Sequence, residues 1–174
     1  MSQILRTWLA FAAVAAGLIH LAFVIGSPAA VGAVFAAVGL AEFAWGLSTM
    51  ATSRLIAPRI ALAGALVPVA LWAVGLLLAG ALRSGELSGA LRFFPLAIAT
   101  LFELGIAAAI AVHLRRLGNG GGVTSAAPVG TGRYLAAVIG GALVVTSLTA
   151  PALAATEAAK FSSPAGTFSD EHGH

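Results

Sequence analysis

The stretch that decides the fold is LRFFPLAIATLFELGIAAAIAVHLRR, residues 91–116. It is mostly apolar between Arg92 and the Arg115–Arg116 pair, and Glu103 lies near its middle. A run of this length with charges at its ends is typical of a membrane-spanning helix. A carboxylate at the centre of such a helix costs roughly 2.5–3.5 kcal/mol on insertion scales. We therefore expect Glu103 to have either a partner or a function.

The whole chain shares this apolar character. Of its 174 residues, 60% are hydrophobic and 9% are charged, whereas soluble domains carry about 25% charged residues. This composition excludes an ordinary soluble domain. The sequence pI near 10.7 comes from a net charge of only +3, and no basic stripe is present, so we expect no nucleic-acid partner. The absence of cysteine excludes disulfides, thiolate metal sites and cysteine nucleophiles.

Four further apolar runs flank the opening stretch, and together they predict an all-α membrane protein, a bundle of about five transmembrane helices. The other runs cover residues 4–26, 28–51, 55–82 and 133–155. The predicted organisation is a closely connected four-helix bundle over 1–116, a flexible cytoplasmic linker over 117–132, a fifth helix over 133–155 and a disordered extracytoplasmic tail over 156–174. The Gly-rich composition of residues 117–132 predicts the linker, and the polarity of residues 156–174 predicts the disordered tail.

Prolines and small residues refine this prediction. Pro28 and Pro58 suit the first turns of the second and third helices, and Pro68 should kink the third. Small residues that could let helices approach closely occur on three runs: Gly32, Ala36 and Gly39; Gly105 and Ala109; and Gly140 and Gly141.

The distribution of basic residues predicts the orientation in the cytoplasmic membrane. With a cytoplasmic N-terminus and five spans, six basic residues face the cytoplasm and three face outward, as the positive-inside rule favours. The inward set is Arg6, Arg54, Arg59, Arg115, Arg116 and Arg133, and the outward set is Arg83, Arg92 and Lys160. The C-terminus would then be extracytoplasmic.

Two runs also resemble secretory signals. The first has one Arg, an apolar core and small residues near Ser27, but the next run begins at once without a clean A-x-A site. The fifth ends in Ala-Leu-Ala at 152–154, which would allow cleavage after Ala154. Internal spans that end in alanines are common in alanine-rich membrane proteins, so we favour an intact helix in both cases.

Four segments carry a resemblance to a family: GLIHLA at 17–22, GLAEFAWGL at 39–47, ALWAVGLLL at 70–78 and LFELGIAAAIAVHLRR at 101–116. Their order, followed by a His-bearing tail, resembles small multi-span integral membrane proteins that are common in actinobacteria. Those proteins often carry a polar or Arg residue shortly after the Trp of the third helix. Here Trp72 is followed by an unbroken apolar stretch. The group has no activity to transfer, so the resemblance implies architecture alone.

The intramembrane polar candidates are Glu42, Glu103, His20 and Trp45. At 1.5 Å per residue, Glu103 lies near the midplane, Glu42 slightly toward the cytoplasm and His20 about 7 Å toward the outside. Two carboxylates at similar depth cannot both ionise in a low dielectric, so the pair could exchange protons or bind a cation with His20. One alternative is a structural role, in which each protonated Glu hydrogen-bonds a neighbouring helix; Trp45 and Thr100 lie one turn away. The other is a polar face that contacts another subunit.

The C-terminal DEHGH is a second candidate site, for copper, nickel or zinc. Its ligands would be His172, His174 and Asp170, with Glu171 and the terminal carboxylate nearby. A flexible tail must be ordered to bind an ion, so a solvated tail is the alternative. His113, beside the Arg pair, suits the negative end of a helix dipole better than a proton relay.

The sequence contains no phosphate-binding loop, nucleophile elbow or H-E-x-x-H motif. We therefore expect no catalytic residue, and the first hypothesis is an accessory or interaction subunit, or a small homo-oligomer. Its partners would be the lipid bilayer and another membrane subunit or a second copy. The alternatives are a proton-coupled or metal-ion transporter using Glu42 and Glu103, and an extracytoplasmic metal-handling protein using the tail.

Overall fold

The computed structural model describes residues 1–52, 54–83, 93–119 and 130–156. In these ranges the chain forms five α-helices and no strand. They are α1 (Gln3–Phe23), α2 (Ala29–Thr52), α3 (Pro58–Leu82), α4 (Phe93–Gly118) and α5 (Thr131–Ala154). Each helix is long and apolar enough to cross a membrane. The predicted all-α class and the five helices are confirmed, while insertion itself stays a prediction.

Local signals set several helix ends. The Ser2 hydroxyl accepts a hydrogen bond from the Leu5 amide and caps α1. Pro58 is the first residue of α3, as predicted. Pro28 lies one residue ahead of α2, and its carbonyl accepts a hydrogen bond from the Gly32 amide. Pro68 lies inside α3 and is buried.

The helix with the most extensive contacts is α1, which packs against α2, α4 and α5. The helix α4, formed by the fourth apolar run, is the second well-buried helix and also contacts α3 and α5. Small residues explain the position of α1, because Ala10, Ala13 and Gly17 are all buried in it. They leave room for three neighbouring backbones to approach closely.

The α1–α2 contact depends on glycines seven residues apart. Gly32, Gly39 and Gly46 are buried on one face of α2. A Cβ added at Gly39 would lie 2.8 Å from the Gly17 carbonyl oxygen, and one at Gly46 would lie 2.9 Å from the Ala10 carbonyl oxygen. The predicted packing role of Gly39 is thus observed, and Gly46 extends it by two helical turns.

The fifth helix is packed on the bundle. The Trp8 indole Nε1 donates a hydrogen bond to the Ala137 carbonyl oxygen over 3.0 Å, and the Thr7 and Tyr134 hydroxyls lie 3.3 Å apart. A Cβ added at Gly141 would lie 2.8 Å from the Trp8 indole. These contacts hold α5 against α1, although the sequence predicts a flexible linker before it.

Two predicted packing positions are wrong. A Cβ added at Gly105 or at Gly140 would meet no atom within 4 Å. These small residues point away from the neighbouring helices, whereas Gly141 makes the contact. Outward surfaces are otherwise covered by large apolar side chains, as expected for surfaces in contact with lipid. The least buried helix is α3, which exposes Ile60, Leu66, Val67, Leu71, Val74, Leu76, Leu77, Leu78 and Leu82.

Several predictions fall outside the described residues. They concern most of the linker, residues 120–129, the connection that contains Glu86 and Arg92, and the tail from residue 157, which includes Lys160. The Ala-Leu-Ala segment at 152–154 forms the end of α5, with Ala152 buried. Cleavage after Ala154 stays untested.

Candidate cation site

Three ionisable side chains from three helices meet inside the bundle. His20 comes from α1, Glu42 from α2 and Glu103 from α4. Nδ1 of His20 lies 2.8 Å from Oε2 of Glu42, and Nε2 of His20 lies 3.5 Å from Oε1 of Glu103. One ligand atom from each residue can be chosen so that all three lie within 4.8 Å of one another. We refer to these three residues as the His–Glu–Glu cluster.

The close α1–α2 contact positions two members of the cluster. Gly17 and Gly39 touch across the helix interface, and His20 and Glu42 each come three residues after their glycine. Residues three apart on a helix share a face. The same glycine contact that brings the backbones together therefore directs both side chains into the interface.

The third member is supplied by α4 from between two apolar clusters. Phe102 belongs to the cluster that contains Ile19, and Ile106 belongs to the cluster that contains Leu9. Glu103 lies between these positions on α4 and is only 1% exposed. Both apolar clusters join α1 to α4, so they hold the Glu103 carboxyl group against the His20 ring.

The two carboxyl groups have different environments. Glu42 is hydrogen-bonded to His20 and is partly exposed, whereas neither oxygen of Glu103 has a hydrogen-bond partner among the described residues. An unsatisfied buried polar group costs about 1–3 kcal/mol, and more when it is charged. The cluster is therefore incomplete as a packing element. A hydrogen-bond donor or a cation beside Glu103 would complete it.

A cavity of about 180 Å³ reaches the cluster on the His20 side. We call it the Trp72 cavity. Its walls are mainly apolar, with polar groups from His20, Thr100 and Trp72. The indole Nε1 of Trp72 is buried without a hydrogen-bond partner among the described residues. The sequence alone did not reveal this donor, because Trp72 resembles an ordinary apolar residue of the third helix.

A second cavity of about 430 Å³ reaches the cluster on the Glu42 side, between α2 and α3. We call it the Trp45 cavity. Those two helices make few contacts with each other, which leaves the space open. Trp45 lines the cavity, but its Nε1 donates to the Ile56 carbonyl oxygen over 2.9 Å rather than to Glu42. Trp45 and Glu42 are thus neighbours, as predicted, and the Trp45 indole is bonded elsewhere.

The two cavities lie toward opposite ends of the helices. The Trp72 cavity is lined by the first part of α2 (Val31, Val34, Phe35) and the second half of α3 (Leu71, Trp72, Gly75). The Trp45 cavity is lined by the second half of α2 and the first half of α3. Val38 and Pro68 belong to the walls of both cavities. The His–Glu–Glu cluster therefore lies where the two cavities come together.

The other predicted site residues do not join this cluster. His113 lies near the end of α4, close to Arg115 and Arg116, as its dipole role would require. The predicted tail ligands Asp170, His172 and His174 lie outside the described residues. The tail metal site therefore stays a prediction.

The cluster combines ligand types that divalent transition metals accept. An imidazole nitrogen and carboxylate oxygens bind zinc and neighbouring ions of the first transition series. The same groups can also hold protons, because each carboxylate and the imidazole has one protonation site available. Either a metal ion or a proton would provide the Glu103 oxygens with a partner.

No protein-family model, curated protein or solved structure matches the chain.

Proposed function

We propose that this chain is an integral membrane protein that binds a divalent transition-metal ion at the His–Glu–Glu cluster and exchanges it for protons across the bilayer. The observation that supports this most directly is the placement of His20 between the carboxyl groups of Glu42 and Glu103, 2.8 and 3.5 Å away. Both Glu103 oxygens lack hydrogen bonds from the described residues. A bound cation would satisfy them.

Charge balance favours exchange over one-way binding. With two protons distributed over the cluster, the two carboxyl groups and the imidazole sum to zero charge. When one divalent ion replaces those two protons, both carboxylates are ionised, the imidazole is neutral and the sum is again zero. A net charge inside a bilayer is costly, so the cluster can alternate between these two states at lower cost than between states of different charge.

The cavities supply the access that exchange requires. The Trp72 cavity touches His20 and the Trp45 cavity touches Glu42, and the two extend toward opposite ends of the helices. With the N-terminus in the cytoplasm, the Trp45 cavity faces the cytoplasmic half and the Trp72 cavity the outer half. The shared wall at Val38 and Pro68 is where a closure between the two would form. Pro68 interrupts the hydrogen bonding of α3 at this level.

Cobalt binding tests the proposal, since the absorption spectrum of Co²⁺ reports its ligand geometry. The protein is purified with residues 170–174 deleted, so that the tail histidines cannot contribute. We expect one Co²⁺ per chain, with binding weakened at least tenfold by His20→Gln and by Glu103→Gln. His113→Gln is the matched control and should bind as the parent does, because His113 lies outside the cluster. Glu103→Gln should still insert and assemble.

Two results would contradict the proposal. Binding that survives in both cluster variants would place the metal elsewhere. Binding that disappears when residues 170–174 are deleted would instead support the extracytoplasmic metal-handling protein that the tail predicts.

The exposed face of α3 favours a second candidate, an accessory subunit or a small homo-oligomer. This helix is the least buried of the five and makes few contacts with α2. A native mass spectrum of the untagged protein would test it. A second polypeptide or a defined number of copies would support this candidate, and a lone chain with one bound metal ion would support the exchanger.

A further inference from the structure

A small polar cavity lies at the end of the bundle where α1 and α5 begin and α2 ends. Its volume is about 90 Å³, and its lining comes from those three helices. The lining residues are Gln3, Arg6, Thr7, Thr49, Met50 and Tyr134. We refer to it as the Arg6 cavity. It is separate from the His–Glu–Glu cluster and shares no lining residue with the Trp72 or Trp45 cavities.

Two hydrogen-bond donors in this cavity lack partners. The side chain of Arg6 makes no ion pair or hydrogen bond with any described residue, although it is half-buried. The Thr49 hydroxyl is fully buried and also has no partner among the described residues. A guanidinium and a buried hydroxyl that both lack acceptors together indicate an anionic ligand.

The neighbouring hydroxyls form the wall of the cavity. Thr7 donates to the Gln3 carbonyl oxygen over 3.1 Å, so in its 3.3 Å contact with Tyr134 the tyrosine is the donor. The Tyr134 oxygen keeps an acceptor lone pair, and its ring closes the α5 side. Arg6, Thr49 and the side-chain amide of Gln3 are therefore the donors that remain for a ligand.

No carboxylate in the neighbouring connections can neutralise Arg6. Residues 1–2, 53–57 and 119–130, which precede or join helices at this end, contain no Asp or Glu. Five more arginines flank the same connections: Arg54, Arg59, Arg115, Arg116 and Arg133. The positive ends of the α1 and α5 dipoles also lie here, because both helices begin at this end. This concentration of positive charge without a carboxylate in the same connections favours an anion as the ligand of Arg6.

The position of the cavity indicates the source of that anion. Arg6 and Tyr134 are each the fourth residue of their helices, and Thr49 is the fourth from the end of α2. At 1.5 Å per residue the cavity lies about one helical turn inside the helix ends. In a membrane this is the level of the lipid headgroups, where Tyr and Arg side chains concentrate.

We propose that the Arg6 cavity binds the phosphate group of an anionic phospholipid, with Arg6 and Thr49 donating hydrogen bonds to the phosphate oxygens. Arginine is suited to this role because its planar fork of N–H donors matches phosphate oxygens. A lipid held at this point would contact α1, α2 and α5 together. It would stabilise the packing of the fifth helix against the rest of the bundle.

Native mass spectrometry of the detergent-purified full chain tests the proposal, with phosphatidylglycerol as the anionic probe and phosphatidylcholine, whose choline cation balances its phosphate charge, as the zwitterionic comparison. We expect one phosphatidylglycerol to be retained in preference to phosphatidylcholine. Arg6→Gln should weaken this binding about tenfold and Thr49→Val a few-fold, as expected for losing hydrogen bonds to a charged group. The thermal unfolding of each variant is recorded to show that the fold is intact.

Two matched controls use residues outside the cavity. Arg59→Gln removes the same charge from the same end, and Thr149→Val removes another buried hydroxyl that has no partner among the described residues. Both should retain the lipid as the parent does. Equal loss in Arg59→Gln would show a diffuse charge effect and overturn the proposal, as would unchanged binding in both cavity variants. Displacement of the lipid by millimolar inorganic phosphate, lost in Arg6→Gln, would identify free phosphate as the ligand and overturn the lipid assignment.

Discussion

At the scale of single residues, Glu103 is a buried carboxyl group, and its proposed function opposes its effect on stability. It is 1% exposed, and its oxygens make no hydrogen bonds with described residues. A side chain chosen for packing at this depth would be apolar, because a buried carboxyl group without hydrogen bonds destabilises the folded state. Under the proposed metal exchange, its presence beside His20 reflects a ligand that is bound for part of the time.

Replacing Glu103 with Met therefore separates a binding role from a packing role. Met has a similar shape and no polar group, so Glu103→Met should raise the stability of the metal-free protein by about 1–3 kcal/mol. The measurement is thermal unfolding in detergent with a metal chelator present. Glu103→Gln, which keeps an unsatisfied polar group, is the control and should stay close to the parent.

A purely structural role for Glu103 makes the opposite prediction. If Glu103 joins helices through hydrogen bonds, Glu103→Met should lower the melting temperature. That outcome, together with unchanged cobalt binding, would remove Glu103 from the cation site.

The members of the cluster could be selected from the sequence, but their arrangement could not. His20, Glu42 and Glu103 stand out because they are the ionisable residues well inside the first four apolar runs. Their contacts depend on how α1 and α2 rotate about their axes, and the hydropathy of nearly uniform apolar helices does not specify that rotation. The unpaired Trp72 indole was missed for the same reason.

At the scale of helices, the α1–α2 pair is the element that builds the site. The Gly17–Gly39 contact lets the backbones approach, and it lies one turn before both His20 and Glu42. Any side chain at this contact would push the helices apart and move the imidazole from the carboxylate. The geometry of the site thus depends on glycines that have no ionisable or metal-binding side chain.

Gly39→Ala should damage both stability and binding. The added Cβ would lie 2.8 Å from the Gly17 carbonyl oxygen and 2.9 Å from Leu21 Cγ. Because one of these neighbours is backbone, the helices must separate, at a cost of about 1–3 kcal/mol. We expect a lower melting temperature and weaker cobalt binding than in the parent protein.

Gly105→Ala is the control for this substitution, since a Cβ at Gly105 meets no atom within 4 Å. It should leave melting temperature and cobalt binding unchanged or slightly raise stability through better helix propensity. If Gly39→Ala behaves like Gly105→Ala, the close α1–α2 contact is not what positions the site.

The number of helices could be predicted from hydropathy, whereas their pairing could not. Small residues occur throughout this chain, so spacing alone favoured Gly105 and Gly140 as well as Gly39 and Gly141. Only two of these four meet a neighbouring helix. What distinguishes them is the group opposite, such as Trp8 against Gly141, and that match is visible only in three dimensions.

At the scale of the whole molecule, the bundle is organised around α1 and includes α5. Contacts of Trp8 with Ala137 and Gly141 join the first and last described helices. The Gly-rich composition before α5 predicts a flexible linker, but the flexibility of a linker does not determine whether the helix after it packs on the bundle.

Dividing the chain in the linker tests this organisation. Co-expressed fragments 1–119 and 130–174 should insert and co-purify, because the α1–α5 contact does not require a covalent connection. Trp8→Ala should reduce the recovered complex severalfold through loss of an aromatic contact between the two helices. The Trp72→Ala control should leave recovery of the complex unchanged, because Trp72 lies on α3 and lines the Trp72 cavity. Fragments that insert separately and never co-purify would contradict the packed arrangement.

The most direct test of the central claim is zinc uptake into sealed proteoliposomes, with a pH dye inside the vesicles and the membrane potential set independently. We expect saturable Zn²⁺ uptake with two protons leaving per ion, at a rate independent of the potential, because both states of the cluster are neutral. Glu103→Gln should abolish this exchange and His113→Gln should leave it intact. Uptake absent from the parent protein, or equal in Glu103→Gln and the parent, would contradict metal–proton exchange at the His–Glu–Glu cluster.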